Sequence, residues 1–280
     1  MVTSVEEGTF KGFDDAELFF QTWPVANPSK VIIGVHGLGE HSGSYKHLAQ
    51  GLENTPYQLI MADHRGHGRS SGKRGVGSID EYILDTRLFV DVVRRRFPKL
   101  SFFFLGHSMG GLVVAKLLIR NGSMGALGAI LSSPLLGVTV KVSPLKEKSA
   151  GLLNILTPNL SLSNDIPNEN LTHDKAIIEE YEGDILRHNR ITPRLFDSML
   201  KSFEYAFQNH DKISLPILMQ QAGVDMVVSQ PKAEQFFDLL TTRDKEKIIY
   251  EGFFHEVYNE IGRKKPYSDL IKWLDKHEDA

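Results

Sequence analysis

The 280-residue chain contains no cysteine. Disulfides, a cysteine nucleophile and a thiolate metal site are therefore excluded, and a reducing compartment is permitted. There is no excess of basic charge either. With 32 Lys and Arg against 35 Asp and Glu, the formal net charge of −3 gives no electrostatic case for a nucleic-acid partner. No apolar run approaches the roughly 20 residues of a membrane span. The first eight residues show no basic segment followed by an apolar core, so no secretory signal is expected. The expectation is a cytoplasmic, soluble protein whose contact with lipid is at most peripheral. No His-Glu-x-x-His helix or comparable ligand cluster occurs, so neither a metal nor another cofactor is expected.

What is present is ordinary in bulk, with 41% hydrophobic and 24% charged residues. That length and composition suit one large α/β domain, or such a domain with an insertion. The informative stretch is Gly106-His107-Ser108-Met109-Gly110-Gly111, directly after the aromatic run Phe102-Phe103-Phe104-Leu105 and before the apolar residues 112–118. Strand, sharp turn and helix are the setting that a Gly-x-Ser-x-Gly nucleophile elbow requires. The helix N-terminus also turns its free amides and partial positive charge toward a developing anion.

Around this stretch, buried-type strands alternate with amphipathic helices. Residues 9–13 and 17–23 read as a hairpin, and residues 31–35, 57–62 and 126–132 as apolar strands of a parallel sheet. Ser78 and Pro98 bracket a helix in which Tyr82, Ile83, Phe89, Val93 and Phe97 recur at helical spacing. From 134 to 212 the alternation stops, and Leu, Ser, Asn and Pro predominate. It returns with a strand at 216–221, a helix at 233–240, a strand at 247–250 and a closing helix at 268–277. The expected fold is a mostly parallel, doubly wound α/β-hydrolase sheet, with residues 1–133 and 213–280 as its core and 134–212 as an inserted cap.

A serine hydroxyl needs a base held in the right tautomer by a carboxylate, and in this fold the order is Ser, acid, His. Asp225 follows a late strand and His255 lies in the loop after the next one, which brings both to the sheet edge of Ser108. Asp211, Asp238 and Asp244 compete less well, since the first precedes its strand and the others fall on or after a helix. His36 and His107 flank the turns and are expected to shape them, while His64 and His67 read as loop anchors. The oxyanion donors are expected to be the backbone amides of Met109 and Leu38.

At this point the chain resembles the monoacylglycerol lipase and lysophospholipase branch of the α/β-hydrolases. The matching stretches are residues 36–42 (HGLGEHS), 63–70 (DHRGHGRS), 106–111 (GHSMGG), 133–135 (SPL), 156–162 (LTPNLSL) and 255–260 (HEVYNE). The resemblance implies the same triad and oxyanion amides. It also implies that Glu40 lies near the glycerol head, with Tyr258 at a further head-group position. Ser44 stands where vertebrate members have an arginine, and Tyr258 where they have a histidine. Tyr181 is a third candidate substrate contact, near the head-group exit.

The implied reaction is hydrolysis of a long-chain monoacylglycerol, with lysophospholipase the nearest alternative and a general carboxylesterase the third. A non-catalytic binding protein on the same fold would be expected to lack a triad member. Apolar residues of the insertion, among them Leu135, Leu136, Val138, Val140, Val142, Leu152, Leu153, Ile155, Leu156, Leu160 and Leu162, would pack on the sheet, line an acyl tunnel or rest on a lipid surface. At about 0.8 kcal/mol per buried methylene a long acyl chain gives on the order of 10 kcal/mol, against about 1 kcal/mol per head-group hydroxyl. The acyl chain dominates affinity, and the head group decides specificity.

Overall fold

The computed structural model describes residues 5–139 and 154–278. The hairpin β1 (Glu6–Lys11) and β2 (Glu17–Trp23) leads into β3 (Lys30–Val35), α1 (Lys46–Leu52), β4 (Tyr57–Ala62), α2 (Ile79–Arg96), β5 (Ser101–His107), α3 (Met109–Asn121) and β6 (Ala126–Ser132). The segment between β6 and the next sheet strand carries the short pair β7 (Leu162–Ser163) and β8 (Arg190–Ile191), with helices α4 (Lys175–Gly183) and α5 (Pro193–Gln208). Then follow β9 (Ile217–Ala222), α6 (Gln230–Leu239), β10 (Lys245–Tyr250) and α7 (Lys264–Lys276). Eight strands form one sheet in the order β1-β2-β4-β3-β5-β6-β9-β10. The hairpin runs antiparallel to it at one edge, and the six strands from β4 to β10 are parallel.

Neighbouring residues along each central strand belong to different cores. Ile33, Phe104, Leu131 and Met219 pack with α2, α3, α5 and α6 on one face. Ile32, Phe103, Ile130 and Leu218 pack with α1 and α7 on the other. Successive side chains of a strand point to opposite faces, so a strand covered on both must be apolar throughout, as the continuous runs in the sequence are. Helix ends are set locally. Ser78 caps α2 by accepting from the Glu81 amide at 3.2 Å, Asp80 and Glu81 occupy its first turn, and Arg94, Arg95 and Arg96 its last, in the sense the helix dipole favours.

The segment between β6 and β9 has more regular structure than its composition suggested. Helix α5 spans 16 residues, capped by Thr192, and its Leu195, Met199 and Ala206 enter the same core as α2 and α3. Leu135 and Leu136 are likewise buried, whereas Ile155, Leu156, Leu160 and Leu162 are exposed. Val140, Val142, Leu152 and Leu153 lie outside the described residues.

The start of α3 lies directly against β3. A methyl group at Gly110 would collide with the Val35 carbonyl, which is backbone and cannot yield. Gly110→Ala is therefore expected to cost about 3 kcal/mol or more. Thermal denaturation would show it as a melting point lower by roughly 6–12 °C.

Candidate active site

Parallel register brings the ends of β3, β5, β6, β9 and β10 to one edge, with Val35 beside Gly106, His107 beside Ser132, Ser132 beside Gln220, and Ala222 beside Tyr250. The loops that follow these ends hold the candidate residues. Ser108 sits between β5 and α3 at φ 53° and ψ −120°, in the left-handed half of the map that a side chain ordinarily avoids. Its backbone is pinned there: its amide donates to the Ser132 carbonyl at 3.0 Å, and its own carbonyl accepts from Leu135 at 2.9 Å.

Asp225, in the turn after β9, accepts a hydrogen bond from His255 Nδ1 at 2.8 Å through Oδ2. Its Oδ1 takes the amides of Val227 and Val228, both at 2.9 Å. Burial opposes charge on Asp225, but the His255 ring and these amides outweigh it and hold the carboxyl below its usual range. For His255 burial also opposes charge, and Asp225 prevails again, raising the imidazole above its ordinary value. His255 Nε2 has no partner among the described residues. Ser108 and His255 line one cavity of about 400 Å³ together with Gly37, Leu38, Glu40 and Arg187. No hydrogen bond joins Ser108 Oγ to His255 Nε2 here; such contacts are often long before substrate binds.

The loop after β3 lies over the elbow, so close that a Cβ at Gly37 would stand 3.1 Å from Ser108 Cβ. Glu40 holds this loop: its Oε1 accepts the Gly37 amide and the Tyr45 hydroxyl. The Leu38 and Met109 amides are left without a partner among the described residues. His36 fixes the loop from behind. Its Nε2 accepts the His64 amide at 2.9 Å, which leaves Nδ1–H to donate to the Gly37 carbonyl at 2.7 Å. Burial, chiefly, pushes His36 well below its usual value, His64 down to about 4 and His107 down to about 3. These rings are neutral wedges, and among the described residues no group of three or more His, Asp or Glu could hold a metal.

The far wall of the cavity comes from the segment between β6 and β9. Arg187 and Tyr181 stand opposite Glu256, which follows His255 in the chain. Glu256 accepts the Tyr181 hydroxyl and Asn259 Nδ2, the latter at 2.8 Å, and pairs with Arg187 Nη2 at 3.4 Å. Burial works against its charge, but Arg187 and these donors outweigh it and keep it below the usual carboxylate range. Burial raises Glu40 instead, up to about 7, helped by the negative Glu256. Asn164, Asn168 and Asn189 complete this polar side, and Leu38, Ile166, Leu171 and Val227 the apolar one.

The structure thus brings Ser108, His255, Leu38, Glu40 and Tyr181 to the cavity and Asp225 behind His255. Tyr258 is buried beside this cavity, where it lines a small pocket with Glu40, Tyr45, Glu256 and Asn259. Its hydroxyl donates to Gln220, and its ring joins Val257 in the second core, because the turn after His255 sends 256 and 259 toward the polar cluster and 257 and 258 toward the sheet. Arg187, Glu256, Asn259 and the three asparagines escaped the sequence reading. Of these, only Glu256 and Asn259 lay within a matching stretch, residues 255–260.

A family model described as Serine aminopeptidase, S33 (Hydrolase_4) matches residues 26–262. Phospholipase YtpA of Bacillus subtilis is 30% identical over 258 residues, covering 91% of this chain and 99% of that protein. The chain belongs to that family. Within it the chain falls in the monoacylglycerol lipase and lysophospholipase branch of the α/β-hydrolases. Monoglyceride lipase of Homo sapiens is 32% identical over 252 residues, 89% of this chain and 82% of that protein. The crystal structure of the Paleococcus ferrophilus monoacylglycerol lipase superposes with a TM-score of 0.82 at 27% identity, over 98% of this chain and 99% of that one. Among the described residues no helix is long and apolar enough to cross a membrane.

Proposed function

We propose that the protein is a serine ester hydrolase that cleaves long-chain monoacylglycerol to glycerol and fatty acid through an acyl-enzyme. Ser108 Oγ attacks the ester carbonyl while His255 Nε2 takes its proton, and Asp225 holds the Nδ1–H tautomer and steadies the imidazolium. The amides of Leu38 and Met109 receive the oxyanion, each worth on the order of 10²–10³ in rate. His255 then protonates the leaving glycerol oxygen and afterwards activates water against the acyl-enzyme. The observation that carries this reading is the His255–Asp225 pair facing the same cavity as an elbow serine.

Relatives named as monoglyceride lipases and as a phospholipase leave the head group to be decided. The cavity wall supports a neutral polyol. Arg187 is the one Lys or Arg among its described lining residues, against Glu40, Glu182, Asp184 and Glu256. A phosphocholine head would bring both a phosphodiester anion and a quaternary ammonium to be placed in this space, with Arg187 already paired to Glu256, whereas glycerol hydroxyls can use the carboxylates and the asparagines together.

In the same reading, residues 134–212 form a cap over the site. Its exposed Ile155, Leu156, Leu160 and Leu162, with Ile185 at 91% exposure, would rest on a membrane or micelle surface. Side-by-side kcat/KM on a long-chain monoacylglycerol and the matching lysophosphatidylcholine tests the head group. Turnover of the monoacylglycerol is expected to be at least tenfold faster, and preference for the phospholipid would reverse the assignment to lysophospholipase.

A further inference from the structure

Arg187 lies in the turn after α4, and the chain there is seated on the oxyanion loop by the His188 amide, which donates to the Gly39 carbonyl at 2.8 Å. Asp184 in the same turn accepts from His41 Nε2 at 2.7 Å. The Arg187 side chain is 12% exposed. Its guanidinium carbon stands 3.7 Å from the centroid of the Tyr181 ring, which fixes the plane of the group. Nη1 donates to Ser44 Oγ at 3.1 Å and Nη2 to Glu256 Oε1 at 3.4 Å. An arginine has five N–H donors in a rigid fork, so three remain without an acceptor among the described residues, on a group that lines the cavity.

A purely structural ion pair would commit its donors to the protein. Here the fork is held by one ring, one hydroxyl and one carboxylate, and the residue lines the cavity it shares with Ser108. Glu256 beside it is an acceptor, and Glu40 opposite has a carboxyl that either donates or accepts near neutral pH. A hydroxyl group needs one of each, and two neighbouring hydroxyls need two of each, at fixed separation.

We infer that Arg187 is the head-group specificity residue of this enzyme, donating to the hydroxyls of the leaving glycerol while Glu256 and Glu40 accept from them. This rests on the ester-hydrolase reading above. Because Arg187 is carried by the insertion, the head group is recognised only while this turn is seated on Gly39 and His41. The sequence places Ser44, not a cation, in the loop beneath, and the guanidinium reaches that site from the opposite side.

The test compares kcat/KM for a long-chain monoacylglycerol with that for the methyl ester of the same acid, which presents the same acyl group without glycerol hydroxyls. In Arg187→Met the ratio of the two is expected to fall about ten- to a hundredfold, mostly through KM for the monoacylglycerol. Because that change leaves Glu256 buried without its cation, Arg187→Met/Glu256→Gln, which removes both charges, is measured beside it, and a fall at least as large is expected. A wild-type ratio well above 1 that either folded variant retains would overturn the inference alone, as would equal losses on both esters. A wild-type ratio near 1 would overturn the monoacylglycerol reading, and the inference with it.

Discussion

Ser108→Ala is expected to lower kcat on a long-chain monoacylglycerol by about 10⁵- to 10⁶-fold, with the melting temperature shifted by no more than a few degrees. The size follows from removing the atom that forms the acyl-enzyme, after which only binding and oxyanion donors remain to assist direct attack by water. Stability should hold because the strained backbone at φ 53° is fixed by main-chain bonds to Ser132 and Leu135, not by the hydroxyl. An organophosphonate ester, which reacts only with an activated serine, should label the wild type once and the variant not at all. Mass spectrometry of the labelled protein checks this. Activity above about 1% in a folded, unlabelled variant would remove Ser108 from the nucleophile role.

The elbow was legible because its context, and not its pattern alone, is local. An aromatic strand, two glycines and an apolar helix are all adjacent in sequence, and each meets a contact that requires it, as Gly110 does against Val35. Asp225 and His255 were legible through chain order and through the regular alternation that put both after strands. Four strand assignments fell within two residues of β3, β4, β6 and β9 for the same reason: burial on both faces leaves an apolar run with sharp ends. The polar wall of the cavity was not legible. Arg187, Asn164, Asn168 and Asn189 come from a segment with no strand alternation, and a lone polar residue there looks like solvated surface until the fold brings it to the cavity beside the loop after β3. Tyr258 was legible only in part. It lies three residues after His255 in sequence and lines a small pocket with Glu40 and Glu256, while its ring packs in the core with Tyr267, 6.2 Å away between ring centroids. Helix α5 was hidden by its neighbours' composition, although its Thr192 cap and Pro193 at the first turn are ordinary start signals.

Asp225→Asn is expected to lower kcat about 10⁴-fold while leaving KM within a few-fold of wild type. The carboxylate accepts from His255 Nδ1 at 2.8 Å, and this fixes the proton on Nδ1 and leaves Nε2 free of one. An asparagine amide can present its NH₂ to the ring instead, which makes Nδ1 the acceptor and puts the proton on Nε2, where it can no longer take one from the serine. The pH profile separates this from simple damage. His255 must be neutral to act as base, so the wild-type rate is low below its pKa and rises with pH through it; the raised pKa places that midpoint above the ordinary 6.5. Removing the Asp225 charge takes away the largest contribution that raises it, while Glu256 and Glu40 still contribute. The residual activity of the variant should therefore turn on at lower pH than the wild type. Because burial pushes the Glu40 carboxyl up to about 7 at the polar wall of the cavity, the profile is best read on the methyl ester, which lacks the hydroxyls that group would meet. A variant with the wild-type midpoint and a rate within tenfold of wild type would show that the pair at 2.8 Å orients nothing the reaction uses.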